Sequence, residues 1–285
     1  MTYTARTSTL TFAAALLCML ALPATTALAQ SQATAPTTHS KATTMTFEDK
    51  IAARTQPFAV RVDFSIDPER ADAFEAATTR LAQHTIGRDK PVFYRVFRNA
   101  ETPGQYTLFG EWEDGAQWTR FSERPYHIAF NNTVGPMIKS ATRRLYRPVT
   151  EAVPGEGEID MAEVERQEPA APTASQTRDR LAAAGLEGQP FVLFVDVPVE
   201  EDGVATVKHV TASVEERTLT EEPVIKYGYY QNTDDPTDIL LFEWWTNFDG
   251  MDAHLAYPQF TDLMKVFAAF GGDGREVGIY DPVTQ

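Results

Sequence analysis

Two kinds of hydrophobic pattern alternate along this chain. "FAVRVDF" at 58–64 and "FVLFVDVPV" at 191–199 are dense in Val and Phe, as strands buried on a sheet are. The segment "DPERADAFEAATTRLAQH" switches to helical spacing, with Ala71, Phe74, Ala77 and Leu81 on one face. Asp67 is placed to cap it and Pro68 suits its first position. "DGVATVKHVTASVEER" keeps Val204, Val207, Val210 and Val214 near the same spacing, although its β-branched residues make it a poor intrinsic helix. Strands are expected at 92–98 and 105–113, and again at 224–230 and 238–245, each pair joined by hairpin-turn residues in "NAETPGQ" or "QNTDDPT". A second helical region begins near Pro125 or Asn247, and "RRLYRPV" or "EVGIYDPV" supplies a closing strand.

The pattern occurs twice. "QPFAVRVDFSID" at 56–67 returns as "QPFVLFVDVPVE" at 189–200, and "PVFYRVFRNAETPGQYTLFGEW" at 91–112 as "PVIKYGYYQNTDDPTDILLFEW" at 223–244. "YRPVTE" at 146–151 returns as "YDPVTQ" at 280–285. Offsets of 132 to 134 mark one duplicated unit, at 56–150 and 189–285. Strand, helix, strand, strand, helix, strand is a ferredoxin-like order, so the fold class is α+β with two tandem ferredoxin-like units. The strand Ile239–Trp245 is apolar on both faces until Glu243. A sheet with helices on one side should show polar residues on the other. The second face is therefore expected to be covered by the other copy's sheet.

Outside the units, residues 1–29 read as a secretory signal, with Arg6, an apolar run and "ALA" at 27–29 as the cleavage site. That run is too short for a membrane span, so the protein is expected to be secreted or periplasmic. The only cysteine, Cys18, lies inside this segment, so disulfide, thiolate and cysteine-metal chemistry are excluded from the mature chain. Residues 30–55 are read as a disordered lead with a short helix at "FEDKIAAR". Residues 151–188 are acidic, rich in Pro and Ala and without aromatics, and are expected to be a mobile linker closing with a short helix at "TRDRLAAAG".

Net charge of −15 argues against a nucleic-acid partner. The first unit carries 13 Lys+Arg against 11 Asp+Glu, and the second 5 against 18. That asymmetry favours pairing of the two units with each other within the chain. Arg61, Arg95, Arg98 and Arg144 stand in first-unit strands where the second has Phe194, Tyr227, Tyr230 and Gly278. They are read either as ion-pair partners of the acidic second half or as the basic wall of a cavity for a carboxylate or phenolate.

Candidate chemistry concentrates in "ILLFEWWTNFDGMDAHLAYPQF" at 239–260. Glu243 and Trp245 share one strand face, Trp244 takes the other, and His254 follows on a helix. His254 would titrate near working pH as a base, and an indole would stack on an aromatic ring or donate its N–H. Tyr227 and Tyr229 share a face of the neighbouring strand. Packing alone is an equally open reading for the tryptophans and for His254. His84, His127 and His209 show no metal-ligand spacing, so no metal site is assigned.

Glu243-x-Trp245, His254, Pro258 and Phe260 resemble the E-x-W and H-x-x-x-P-x-F pattern of the antibiotic biosynthesis monooxygenase family. "EEPVIKYGYY" occupies the place of its E-P-G-x-x-x-Y segment, with Val224 where glycine is usual. The resemblance covers about 189–283 and implies a dimeric α/β barrel, here an intrachain pseudo-dimer. It implies a cofactor-independent monooxygenase using O2 on a small aromatic or quinol-like substrate, with His254, Trp245 and Glu243 catalytic. Trp244, Tyr227, Tyr229 and Arg95 would bind substrate. The alternative is a non-catalytic barrel holding a hydrophobic or anionic ligand, with haem as a further option. By sequence matching, Glu111 and Trp112 retain the Glu and first Trp, while Glu113 stands for Trp245 and Phe121 for His254.

Overall fold

Each unit is built from one recurring grammar of caps and alternation. In the first, strand β1 (Phe58–Ile66) leads through a short turn at Pro68, capped by the Asp67 side chain, into helix α2 (Ala71–His84). Hairpin β2 (Phe93–Asn99) and β3 (Gln105–Trp112) is followed by the helix pair α3 (Gly115–Ser122) and α4 (Pro125–Val134) and by β4 (Ile138–Pro148). Ahead of the unit lies α1 (Phe47–Ala52), closed by a Thr46–Asp49 capping box. Helices α5 (Met161–Arg166) and α6 (Ala174–Ala183) precede the second unit. That unit repeats the order with β5 (Phe191–Pro198), α7 (Val204–Thr218), β6 (Val224–Asn232), β7 (Asp238–Trp245), α8 (Phe248–Leu255), α9 (Pro258–Ala269) and β8 (Glu276–Pro282). The computed structural model describes residues 45–149, 161–166, 174–271 and 274–283. The signal segment read at 1–29 and the lead through residue 44 lie outside them.

The eight strands close into one barrel in the order β1-β3-β2-β8-β5-β7-β6-β4. Its seams join the units, β2 to β8 at Phe97↔Pro282 and β4 to β6 at Tyr146↔Asn232, each over three residue pairs. Residues 139–143 of β4 stand exposed, whereas β5 and β7 bury both faces, as the apolar pattern of 239–245 requires. One face packs on its own unit's helices, with Val207, Val210 and Val214 of α7 against β5–β8. The other forms a shared interior in which Phe109 and Phe242 stack at 5.1 Å and 9°. Helix α7 thus forms despite its β-branched residues because its Val face is buried in that layer; Thr211 and Thr218 bond back to the Val207 and Val214 carbonyls.

Two expectations need correction. The first copy's helical region starts at Gly115, capped by Asp114, ten residues before Pro125. The linker is not mobile throughout: Val164 of α5 and Leu181 of α6 are buried in the second unit's core. Apolar side chains spaced along a helix can be buried in a segment whose average composition is polar.

The charge asymmetry is spent on contacts between units. Arg61 Nη1 lies 2.7 Å from Asp196 inside the barrel, Arg98 pairs with Asp281 across the β2–β8 seam, and Lys226 meets Glu111 at 3.0 Å. A homodimer of the second half would place Phe194 where Arg61 stands and leave Asp196 without its cation. Expressed as two chains cut between 150 and 160, the halves are expected to reassemble one to one in native mass spectrometry. Stable homodimers of each half, formed in preference to the mixed species, would contradict the intrachain pairing.

Candidate functional site

The alternation of β7 separates its last three residues. Glu243 and Trp245 turn to the helix side while Trp244 turns to the barrel interior. Asn247 then caps α8, its side chain accepting from the Gly250 amide at 2.9 Å, so the helix starts within two residues of the strand. Gly250 lets that helix approach Pro223 closely; a Cβ there would lie 2.2 Å from the proline Cβ. His254, one turn on from Met251 on the buried face, is thereby laid against Trp245, with ring centroids 5.1 Å apart. Tyr227 and Phe260 enclose it at 5.7 and 5.4 Å.

His254 Nδ1 is 3.3 Å from Glu221 Oε1, whose carboxylate side chain is itself largely buried. With the proton on Nδ1, Nε2 is left as an acceptor; it is buried without a partner. Burial lowers the imidazole pKa against the opposing pull of Glu221, so the ring is neutral at working pH and ready to take a proton. Trp245 Nε1–H donates to Glu243 Oε2 at 2.7 Å. Burial nevertheless pushes the Glu243 carboxyl up to about 7, the indole bond pulling the other way. The Tyr227 and Tyr229 hydroxyls are 2.9 Å apart, and burial raises both well above the usual phenol range. Beside Glu243 lies a cavity of about 40 Å³, walled in part by Leu193, Met251, Phe260 and, from α6, Thr177.

The raised Glu243 pKa has a consequence for stability. Between the ordinary carboxylate pKa and about 7 the folded chain holds this proton and the unfolded chain does not, so the contribution to stability falls as pH rises through that window. Glu243→Gln keeps an acceptor for Trp245 and removes the titration. It is expected to stabilise the protein by about 2–3 kcal/mol at pH 8 and by little at pH 4. Urea melts at the two pH values check this; an equal effect at both would contradict it.

The antibiotic biosynthesis monooxygenase family matches the chain twice, at residues 57–133 and 190–266, together more than half of its length. The chain belongs to this family, in two tandem copies. Among solved structures, a candidate monooxygenase from Lactobacillus acidophilus NCFM superposes with a TM-score of 0.62 at 11% identity, over 80% of this chain and 95% of that one. One from Fusobacterium nucleatum superposes with 0.61 at 10% identity, over 80% and 93%. At these identities the likeness is one of fold. No curated protein matches the sequence.

Comparison of the two family units corrects the alignment of their sites by one residue. Phe58 pairs with Trp112 and Phe191 with Trp245, so Trp112, and not Glu113, is the counterpart of Trp245. The same register sets Gly110 against Glu243 and Glu111 against Trp244. Matching letters had aligned the two glutamates, which face opposite sides of their sheets. The tryptophan is therefore common to both units, and Glu243 and His254 are what the second adds. In the first, Phe121 occupies the His254 place against Trp112 at 4.7 Å, and with Gly110 beside it the Trp112 N–H has no partner.

Of the expected family site residues, His254, Trp245, Glu243, Tyr227 and Tyr229 come together on the helix side of the second sheet. Trp244 and Arg95 lie on interior-facing strand positions at one end of the barrel, in an opening that Tyr227 and Tyr229 border as well but His254, Trp245 and Glu243 do not. Glu221 was missed, although it stands in the quoted "EEPV"; only the fold brings it to an imidazole 33 residues away. Of the four arginines, Arg61 and Arg98 are ion-paired across the units, Arg144 reaches Asp63 at 3.4 Å, and Arg95 meets no carboxylate among the described residues. Among those residues no cluster of three or more His, Cys, Asp or Glu is placed to hold a metal, and no helix is long and apolar enough to cross a membrane.

Proposed function

We propose that this protein is a cofactor-independent monooxygenase of a small aromatic phenol or quinol, acting in the second unit, and that the segment at 1–29 exports it. The observation that carries the reading is His254: a buried neutral imidazole, oriented by Glu221 through Nδ1 and unsatisfied at Nε2, among aromatic rings. A phenol with a free para C–H reacts with O2 to give a quinone and water, the substrate supplying all four electrons. His254 Nε2 takes the phenolic proton and makes the ring electron-rich enough to bond O2 at the para carbon. The imidazolium returns that proton to the peroxide anion, and the neutral His254 then takes the para ring proton as the C=O bond forms and the O–O bond breaks; the imidazolium afterwards restores the proton that Glu243 gives up. The departing hydroxide leaves as water with a proton from Glu243, which is close to half protonated at neutral pH. Oxygen consumption with 1-naphthol, in protein free of flavin, iron and copper, is the expected result. Consumption only after one of these is added would overturn the reading.

A second reading, a non-catalytic ligand-binding barrel, is favoured by the size of the cavity beside Glu243. Its roughly 40 Å³ admits a molecule the size of water or O2, so a ring enters only if α8 or α9 moves outward. Native mass spectrometry in air that shows 1-naphthol retained and unconverted would favour this reading.

A further inference from the structure

At the barrel end formed by the start of β2 and β6 and the end of β3 and β7, a chamber of about 640 Å³ opens between the two units. That is ample for a small ligand. Its inner wall is aromatic, with Phe93 and Trp244 edge to face at 6.3 Å and Tyr230 nearby. Val92, Leu219 and Ile225 line it too, and these are three of the six large apolar side chains that stand exposed among the described residues. Exposed apolar residues are ordinary singly, but three around one opening make an apolar entrance.

The polar groups are unequally satisfied. Lys226 is neutralised by Glu111, which also accepts from the Tyr230 hydroxyl. Glu215 accepts the Tyr229 amide at 3.0 Å, and burial pushes its carboxyl up to about 7, so at neutral pH it supplies only part of a charge. Arg95 donates to the Tyr94 carbonyl at 2.9 Å and meets no carboxylate among the described residues, and its Nε is buried without a partner there. The indole N–H of Trp244 is likewise buried and unpartnered. One uncompensated guanidinium and one free indole donor therefore stand in an aromatic chamber with an apolar entrance. Both donors lack the same thing, an acceptor.

We infer that this chamber binds a small aromatic carboxylate, its ring among Phe93, Tyr230 and Trp244 and its carboxylate held by Arg95 and the Trp244 N–H. An arginine fork matches a carboxylate, and burial strengthens the bond. The site needs both units, since Arg95 and Phe93 come from the first and Trp244 and Tyr230 from the second. Tyr227 and Tyr229 border both this chamber and the oxygenase cluster, but His254, Trp245 and Glu243 do not line it, so the inference does not rest on the oxygenase reading.

Titration calorimetry of the full chain with 1-naphthoate tests it. Binding is expected, with 1-naphthalenemethanol, the neutral analogue, about tenfold weaker or worse. Arg95→Gln and Trp244→Phe should each weaken naphthoate by about tenfold, the second keeping the ring and removing the donor. His254→Ala should bind it as the unaltered chain does, which separates this site from the oxygenase site. Absence of binding at millimolar naphthoate, equal affinity for acid and alcohol, unchanged affinity in the folded variants, or loss of binding in His254→Ala would each overturn the inference.

Discussion

His254→Ala is expected to reduce oxygen uptake with 1-naphthol by about 10²–10⁴-fold, the range a positioned general base contributes. In the second-unit cluster the imidazole offers a buried acceptor nitrogen without a partner, whereas Tyr227 and Tyr229 hold their own protons far above neutral pH and the half-ionised Glu243 is held by the Trp245 indole. The alanine also leaves Glu221 without the imidazole and opens space beside Trp245, so lost activity alone would not distinguish chemistry from packing. His254→Phe makes that distinction. Phe121 already fills this place against Trp112 in the first unit, so the phenylalanine variant should fold and remain inactive. Circular dichroism and thermal melts establish the fold, and an oxygen electrode the rate. Turnover by the phenylalanine variant at the rate of the unaltered chain would remove His254 from the reaction.

Phe242→Ala is expected to cost about 3–5 kcal/mol, a large share of the 5–15 kcal/mol typical of a folded domain. Phe242 is fully buried at the centre of the barrel, within 5.0–5.7 Å of the rings of Phe93, Phe97, Phe109 and Phe194. Three of those four come from the first unit, so truncation removes packing that holds the units together. Phe109→Ala should cost a similar amount, and the double variant less than the sum because the two rings stack on each other. Denaturant melts measure all three. A loss under about 1 kcal/mol for either single change would mean that the interior is not packed as described.

The barrel was legible because duplication and doubly apolar strands leave few alternatives. A strand such as 239–242 with no polar face must be covered twice, and the second copy of the unit is at hand on the same chain. The electrostatic asymmetry pointed the same way, and Arg61–Asp196 and Arg98–Asp281 show where it acts. The meeting of Glu243, Trp245 and His254 on the helix side of the second sheet was readable from strand alternation followed by a capped helix. Register was not readable. Identical letters aligned Glu111 with Glu243, and one residue of slip is enough to exchange the helix side for the barrel interior. The same limit hid Glu221, Glu215 and Lys226, whose partners are set by tertiary contact. Arg95, Trp244, Tyr227 and Tyr229, grouped from the sequence, all border the opening at one end of the barrel, the first two from its interior face. Val164 of α5 is buried in the second unit's core, which no composition average would disclose.

Mass spectrometry of the products formed under ¹⁸O2 tests the central claim most directly. With 1-naphthol and protein stripped of flavin, metal and haem, the account predicts one ¹⁸O atom in the quinone and the other in water, with labelling abolished in His254→Phe. Naphthol recovered unchanged, or quinone whose new oxygen comes from solvent, would contradict it.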